Sequence, residues 1–152
     1  MIAKATTTEI ETIEELTIYS LDHSHEGIES LINGAHKCGK DLREDTKIAL
    51  ESLLPLTNAL HEFDSFEYNL CSLFVIDRKE ICDKDGNLES VMESFRTCLV
   101  KVEQYLEKKD ISSLALLLLT RLPSTLARIQ ALLPSLRQYI DEKYIQPETK
   151  HA

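Results

Sequence analysis

Tryptophan is absent from this 152-residue chain, aromatic residues make up only 6%, and glycine and proline number four each. An all-β domain needs frequent turns and would use far more glycine and proline, so composition leans to helices. With so few aromatic rings, aliphatic side chains must fill the core. No uninterrupted apolar run approaches the roughly 20 residues that span a bilayer as a helix. The opening Met1-Ile2-Ala3-Lys4-Ala5, followed by three threonines, lacks the apolar centre of a signal peptide. Basic residues are outnumbered, 17 against 26 acidic, for a net charge of −9, and they form no stripe with interleaved aromatics. The average surface therefore repels phosphate, which argues against nucleic acid and anionic membranes alike. A cytoplasmic protein is expected.

Motifs of chemistry are missing too. There is no Gly-x-Ser-x-Gly elbow, no Walker loop, no Gly-x-Gly-x-x-Gly and no His-Glu-x-x-His. Nothing therefore points to an enzyme. Cys38, Cys71, Cys82 and Cys98 are widely spaced without a Cys-x-x-Cys pair. They read as buried thiols acting as small apolar residues, not as a disulfide framework. Glu14-Glu15 and Glu44-Asp45 are adjacent carboxylates. Helix neighbours point about 100° apart, and neither pair has apolar surroundings to shift a pKa.

Two patterns invite a metal. In Asp83-Lys84-Asp85-Gly86-Asn87, placing Gly86 sixth in a calcium loop puts Ile81 first and Met92 twelfth. Both positions need a side-chain oxygen, so an acidic turn is expected instead. His25, His36 and the pair His61-Glu62 are the candidate ligands of a metal site within a bundle. Di-iron bundles repeat Glu-x-x-His on two helices. The near match here, Asp22-x-x-His25, occurs once. No cofactor is assigned, and a small-ligand or metal-binding bundle stands as the alternative function.

Helical periodicity is what the chain does have. Ile18, Leu21, Ile28, Ile32 and Ala35 fall on one face of a helix stopping near Gly39. Thr17–Leu21 also alternates as a short strand would; helix is preferred. A second helix starts near Asp41 or Glu44 and carries Ile48, Leu53, Leu56 and Leu60, with Pro55 expected to kink it. Phe63, Phe66, Leu70 and Phe74 extend its apolar face past a bend near Asp64. Residues 77–87 form a break around the Asp85-Gly86 turn; Val75-Ile76 before it and Ile81-Cys82 within it could make a tiny hairpin, but a plain loop is preferred. Leu88, Val91, Phe95, Leu99, Val102 and Leu106 mark a third helix. Asp110 is expected to cap the last one, which Pro123 and Pro134 bend or divide.

The last helix opens with Leu114 to Leu119, Leu-Ala-Leu-Leu-Leu-Leu. Each helical residue turns about 100°, so six apolar residues in a row point in every direction. Such a turn is expected to have no wet side. It must be the central rod of a bundle or part of a contact with another chain. Leu116, Leu117 and Leu119 exceed what one inward face requires. They are the candidate interface, and a homodimer or a protein partner is its simplest use.

Within residues 105–126, Asp110, Leu114, Ala115, Leu118, Leu122 and Pro123 keep a recognisable frame. The segment resembles one in small bacterial helical proteins of unknown function. That pattern reads roughly Asp, then Leu-Ala-Asp-x-Leu-Glu-Tyr-Glu-Leu, then proline. Leu116, Leu119, Thr120 and Arg121 stand where it has Asp, Glu, Tyr and Glu. The resemblance implies a helical bundle and no activity.

The expected architecture is all-α: one bundle of four or five mainly antiparallel, proline-kinked helices over residues 9–145. A flexible tail, 1–8, and a frayed tail, 146–152, flank it. Its core is expected to hold Ile28, Ile32, Leu53, Leu60, Leu70, Phe74, Val91, Phe95, Leu99, Val102, Leu114, Leu118, Leu122, Ile129 and Leu133. The expected role is a non-catalytic interaction protein, such as an adaptor, chaperone-like binder or dimeric scaffold. Burying one leucine contributes about 1.5–3 kcal/mol, and a carboxylate in its place adds a desolvation cost. Leu118→Asp should therefore abolish cooperative melting in circular dichroism; an unchanged melting curve refutes the placement.

Overall fold

The computed structural model describes residues 12–145. The two expected tails lie outside the described residues. Helices occupy most of the described chain: α1 (Ile13–Asp22), α2 (Ser24–Glu44), α3 (Thr46–Leu73), α4 (Leu88–Lys108), α5 (Ile111–Leu119) and α6 (Arg121–Ile140). A short 3-10 turn, Arg78–Glu80, and a minimal antiparallel hairpin, β1 (Cys82–Asp83) with β2 (Gly86–Asn87), link α3 to α4. A π-helical turn, Asp141–Ile145, follows α6. The protein is an all-α bundle.

Side-chain caps fix where helices begin. The Thr12 hydroxyl accepts from the Glu15 amide at 2.9 Å, and Asn87 accepts from the Ser90 amide at 2.9 Å. Asp45 and Asp110 accept from the amides of Ile48 and Ser113. Each satisfies an amide that the first turn leaves without an intrahelical partner. Asp110 is thus the cap expected of it. Lys109 ends α4 in the left-handed region, φ 57°, which turns the chain into α5.

The boundaries depart from expectation where tertiary contacts intervene. The first long helix is broken at His23, between α1 and α2, and Thr17–Leu21 is helical. Gly39 is not a stop, because α2 runs on to Glu44. α3 passes the exposed Pro55 and Asp64 without interruption, held by the buried Leu53, Leu56, Leu60 and Leu70. The last helix is divided at Thr120, three residues before Pro123. Pro123 has no N–H for the Leu119 carbonyl, and its ring crowds that carbonyl away. Pro134 lies inside α6 without dividing it. In residues 77–87 the hairpin alternative is the one formed.

α2 packs against α3, α5 and α6, while α4 packs against α5 and α6. The expected core residues are buried, apart from Ile32, Val91 and Leu133, which are half-buried against it. Ile111–Tyr144, spanning α5 and α6, contains an 18-residue window of mean hydropathy 1.2, apolar enough by length and composition to cross a bilayer. Leu114, Leu118, Leu122, Leu126, Ile129, Leu132, Leu136 and Ile140 along it are all buried by other parts of this chain. That is the pattern of a bundle's core helix.

The leucine-rich turn is covered on most sides, not on all. Leu114, Ala115, Leu117 and Leu118 are buried and Leu119 is half-buried, but Leu116 is 54% exposed. Gly39 explains how α5 gains so much cover. A Cβ at Gly39 would lie 2.7 Å from Leu119 Cγ and 3.2 Å from the Ala115 carbonyl oxygen. The glycine lets α2 lie against α5 more closely than any side chain would allow. Gly27 is the opposite case, since a Cβ there would meet nothing within 4 Å.

These surroundings give the two positions opposite signs. Overpacking costs about 1–3 kcal/mol, whereas alanine gains up to about 1 kcal/mol over glycine in a helix interior. Gly39→Ala should lower the denaturation midpoint and Gly27→Ala should raise it. Equal shifts in urea titrations would contradict the close crossing.

Candidate functional site

The residues singled out from the sequence scatter. Leu117 faces the chain's own core, Leu119 lies against Gly39, and Leu116 alone of the three presents a largely open side chain. A shallow depression beside Leu116 is shared with Lys101, Tyr105 and Arg121. His25 is exposed on α2, and its carbonyl accepts from Gln130 Nε2 of α6 at 3.0 Å. His36 is half-buried farther along α2. His61 stands 3.6 Å from Glu103 of α4. Glu62 is exposed on the rim of a groove described below. Among the described residues, no three His, Cys, Asp or Glu side chains converge as metal ligands would.

Three of the four cysteines are buried as expected, but Cys82 is exposed in the hairpin, where a two-residue strand has no inner face. Burial raises the pKa of Cys38 and of Cys98. At Cys71 burial, with the Glu67 carboxylate beside it, pushes the thiol up to about 12. These three thiols stay protonated near neutrality and are poor nucleophiles. The acidic turn is a latch. Asp83 receives two hydrogen bonds from Arg128 of α6, at 3.0 and 3.1 Å, and those bonds hold its carboxyl below the usual carboxylate range.

The reading from sequence missed a buried ion cluster. Glu67 of α3 is only 3% exposed. Arg78 of the 3-10 turn donates to both of its oxygens, Nε to Oε2 at 2.7 Å and Nη2 to Oε1 at 2.9 Å. Arg96 of α4 donates to Glu67 at 3.4 Å and to Asp64 at 2.9 Å. The Cys71 thiol also points to Glu67. The signal was available, because Glu67 lies in helical register with Phe63, Leu70 and Phe74. A charge on such a stripe needs partners. Here they tie α3 to the turn and to α4, and every charge is matched. The cluster is a clamp without a free reactive group.

One largely apolar groove remains open. Between the α1–α2 rod and α3 runs a groove of about 420 Å³. Ser20, His23, Ser24, Gly27 and Leu31 line one wall, and Ala59, Glu62, Phe63 and Phe66 the other. The α2–α3 pair is close near its connection, where a Cβ on Gly34 would lie 3.3 Å from Leu56 Cδ1. It is splayed apart at Gly27. Small residues on one wall and half-buried phenylalanines on the other leave an apolar floor uncovered. From the sequence alone, Gly27 is only a weak helix former. What it faces is a tertiary property.

No protein-family model, curated protein or solved structure matches this chain.

The clamp yields a test by double-mutant cycle. Removing one partner of a buried pair costs about 3–5 kcal/mol, while replacing both with apolar groups is often near neutral. Arg78→Met should destabilise strongly, and adding Glu67→Met should recover much of the loss. Additive losses in chemical denaturation would show that Glu67 and Arg78 are not coupled.

Proposed function

We propose that this protein is a non-catalytic interaction protein, an adaptor or chaperone-like binder, which receives its partner in the groove between α1–α2 and α3. The observation that carries this reading is the open space over Gly27, in a helix whose other two glycines touch neighbouring helices. Contiguous apolar surface left uncovered beside small residues is what a helix-in-groove contact uses. The absence of catalytic motifs and the high thiol pKa values support a binding role over a chemical one. We place the protein in the cytoplasm, on the support of four free cysteines. Self-association is the other form of the same reading, with the 54% exposed Leu116 its candidate contact. A small apolar ligand is the alternative, since about 420 Å³ is within the size range of ligand pockets.

Photo-crosslinking from the groove's rim separates these readings. A benzophenone amino acid at Glu62 should give a discrete heavier adduct in the native cell, and the same group at Lys84 of the hairpin should not. An adduct of twice the chain's 17.3 kDa would mean self-association instead of a foreign partner. Equal labelling from both positions, or none from Glu62, overturns the assignment of the groove.

A further inference from the structure

From the distribution of charge around the groove we infer its occupant: a basic amphipathic helix of another protein, laid lengthwise with its apolar face on Leu31, Phe63 and Phe66. The inference rests on the reading of the groove as a binding site and adds the chemistry of the partner.

Shape comes first. Ile13, Leu16, Ser20, His23, Gly27 and Leu31 follow one another in steps of three and four, the spacing of a seam that faces another helix. Ile13 and Leu16, at the α1 end, are 69% and 49% exposed. Across the break at His23, Ile13 to Leu31 spans at most about 27 Å at 1.5 Å per residue, which a helix of about 18 residues covers. The floor is flanked on both sides by helices, so a third helix can lie along them as it would in a bundle.

Charge then selects the partner. From Ala5 to His36 the chain has no lysine or arginine, and from Ile48 to Asp77 it has none again. Those stretches build both walls. On α1 and α2 they include Glu14, Glu15, Asp22, Glu26 and Glu29, and on α3 Glu51, Glu62, Asp64 and Glu67. Internal partners neutralise some of these: Arg137 binds Asp22, Arg96 binds Asp64, and Arg78 and Arg96 bind Glu67. Gln130 donates to Glu29. Glu62 stands at the rim itself. An apolar floor with Glu62 on its rim, between helices that carry exposed carboxylates and no lysine or arginine over these stretches, attracts lysine and arginine on a partner's flanks and repels an acidic one. A second copy of this chain, at net charge −9, would bring acid to acid.

The test uses the purified full chain and three fluorescent peptides of about 18 residues, a length that matches the seam. The first is a leucine–lysine helix with leucines at steps of three and four. The second replaces its lysines with glutamate, and the third scrambles the first. In anisotropy titrations the first should bind about tenfold or more tighter than either control, and weaken as salt shortens the range of charge attraction. Gly27→Leu fills the open space and should weaken binding about tenfold without lowering the melting temperature. Glu62→Lys alters only an exposed side chain and should weaken it severalfold. Equal binding of the lysine and glutamate helices overturns the basic assignment and leaves the interaction reading intact. Equal binding of the scrambled peptide overturns the helix assignment. Binding indifferent to Gly27→Leu moves the site elsewhere. If no peptide binds while Glu62 still crosslinks a foreign protein, only the partner chemistry fails; if neither occurs, both readings fall.

Discussion

The close crossing of α2 and α5 at Gly39 is the constraint on which the rest of the structure depends. Leu114 to Leu119 needs cover on nearly every side, and helices bearing ordinary side chains keep their axes about 8–10 Å apart. Removing the side chain at Gly39 brings α2 onto Ala115 and Leu119. Once α2 is held there, Ile28, Ala35, Cys38 and Leu42 are committed to the bundle interior. The short link at Asp45 then brings α3 against α2 near Gly34 and Leu56. Farther from the link the two helices separate, and the groove is the space between them. The opening at Gly27 is thus the far end of a hairpin pinned tightly near its turn.

Charge is distributed by the same economy. Among the described residues no buried side-chain nitrogen or oxygen lacks a hydrogen-bond partner. Arginines achieve much of this: Arg78 and Arg96 at Glu67, Arg128 at the hairpin, Arg137 at Asp22. Each ties a helix to a neighbouring segment, so basic side chains are spent inside the chain's own architecture. Acidic residues are in excess, 26 against 17 basic, and Glu62 stands on the rim of the groove.

Periodicity made much of this fold legible. Leu88 through Leu106 announced α4, and the Asp110 cap followed from its place before an apolar run. Most of the expected core is buried because a three-and-four stripe has only one way to face inward. The failures share a cause. Gly39 read as a stop because a glycine looks the same whether it ends a helix or admits a neighbour, and its neighbour Leu119 is distant in sequence. Pro55 does not end α3, because it lies on the exposed side of a helix held by its buried face. Leu117 and Leu119 read as surplus because a local rule counts one inward face, while α5 is covered from several directions. Glu67 was legible and passed over. The groove was not, since Ser20, Ser24 and Gly27 state only what is missing from α1 and α2 and not what stands opposite.

The three glycines of α2 make the functional argument in physical terms. Each costs up to about 1 kcal/mol of helix stability relative to alanine. At Gly39 the neighbouring backbone of α5 accounts for the absent side chain, and at Gly34 the Leu56 side chain comes near to doing so. At Gly27 a Cβ would meet nothing within 4 Å among the described residues. The same helix therefore gives up stability once for its own core and once for a space that its own core does not use. A partner's side chain entering between Ser24 and Phe63 is the neighbour that would make Gly27 equivalent to Gly39. Filling that space would be separable from folding, because the leucine rod on the other face of α2 closes without it.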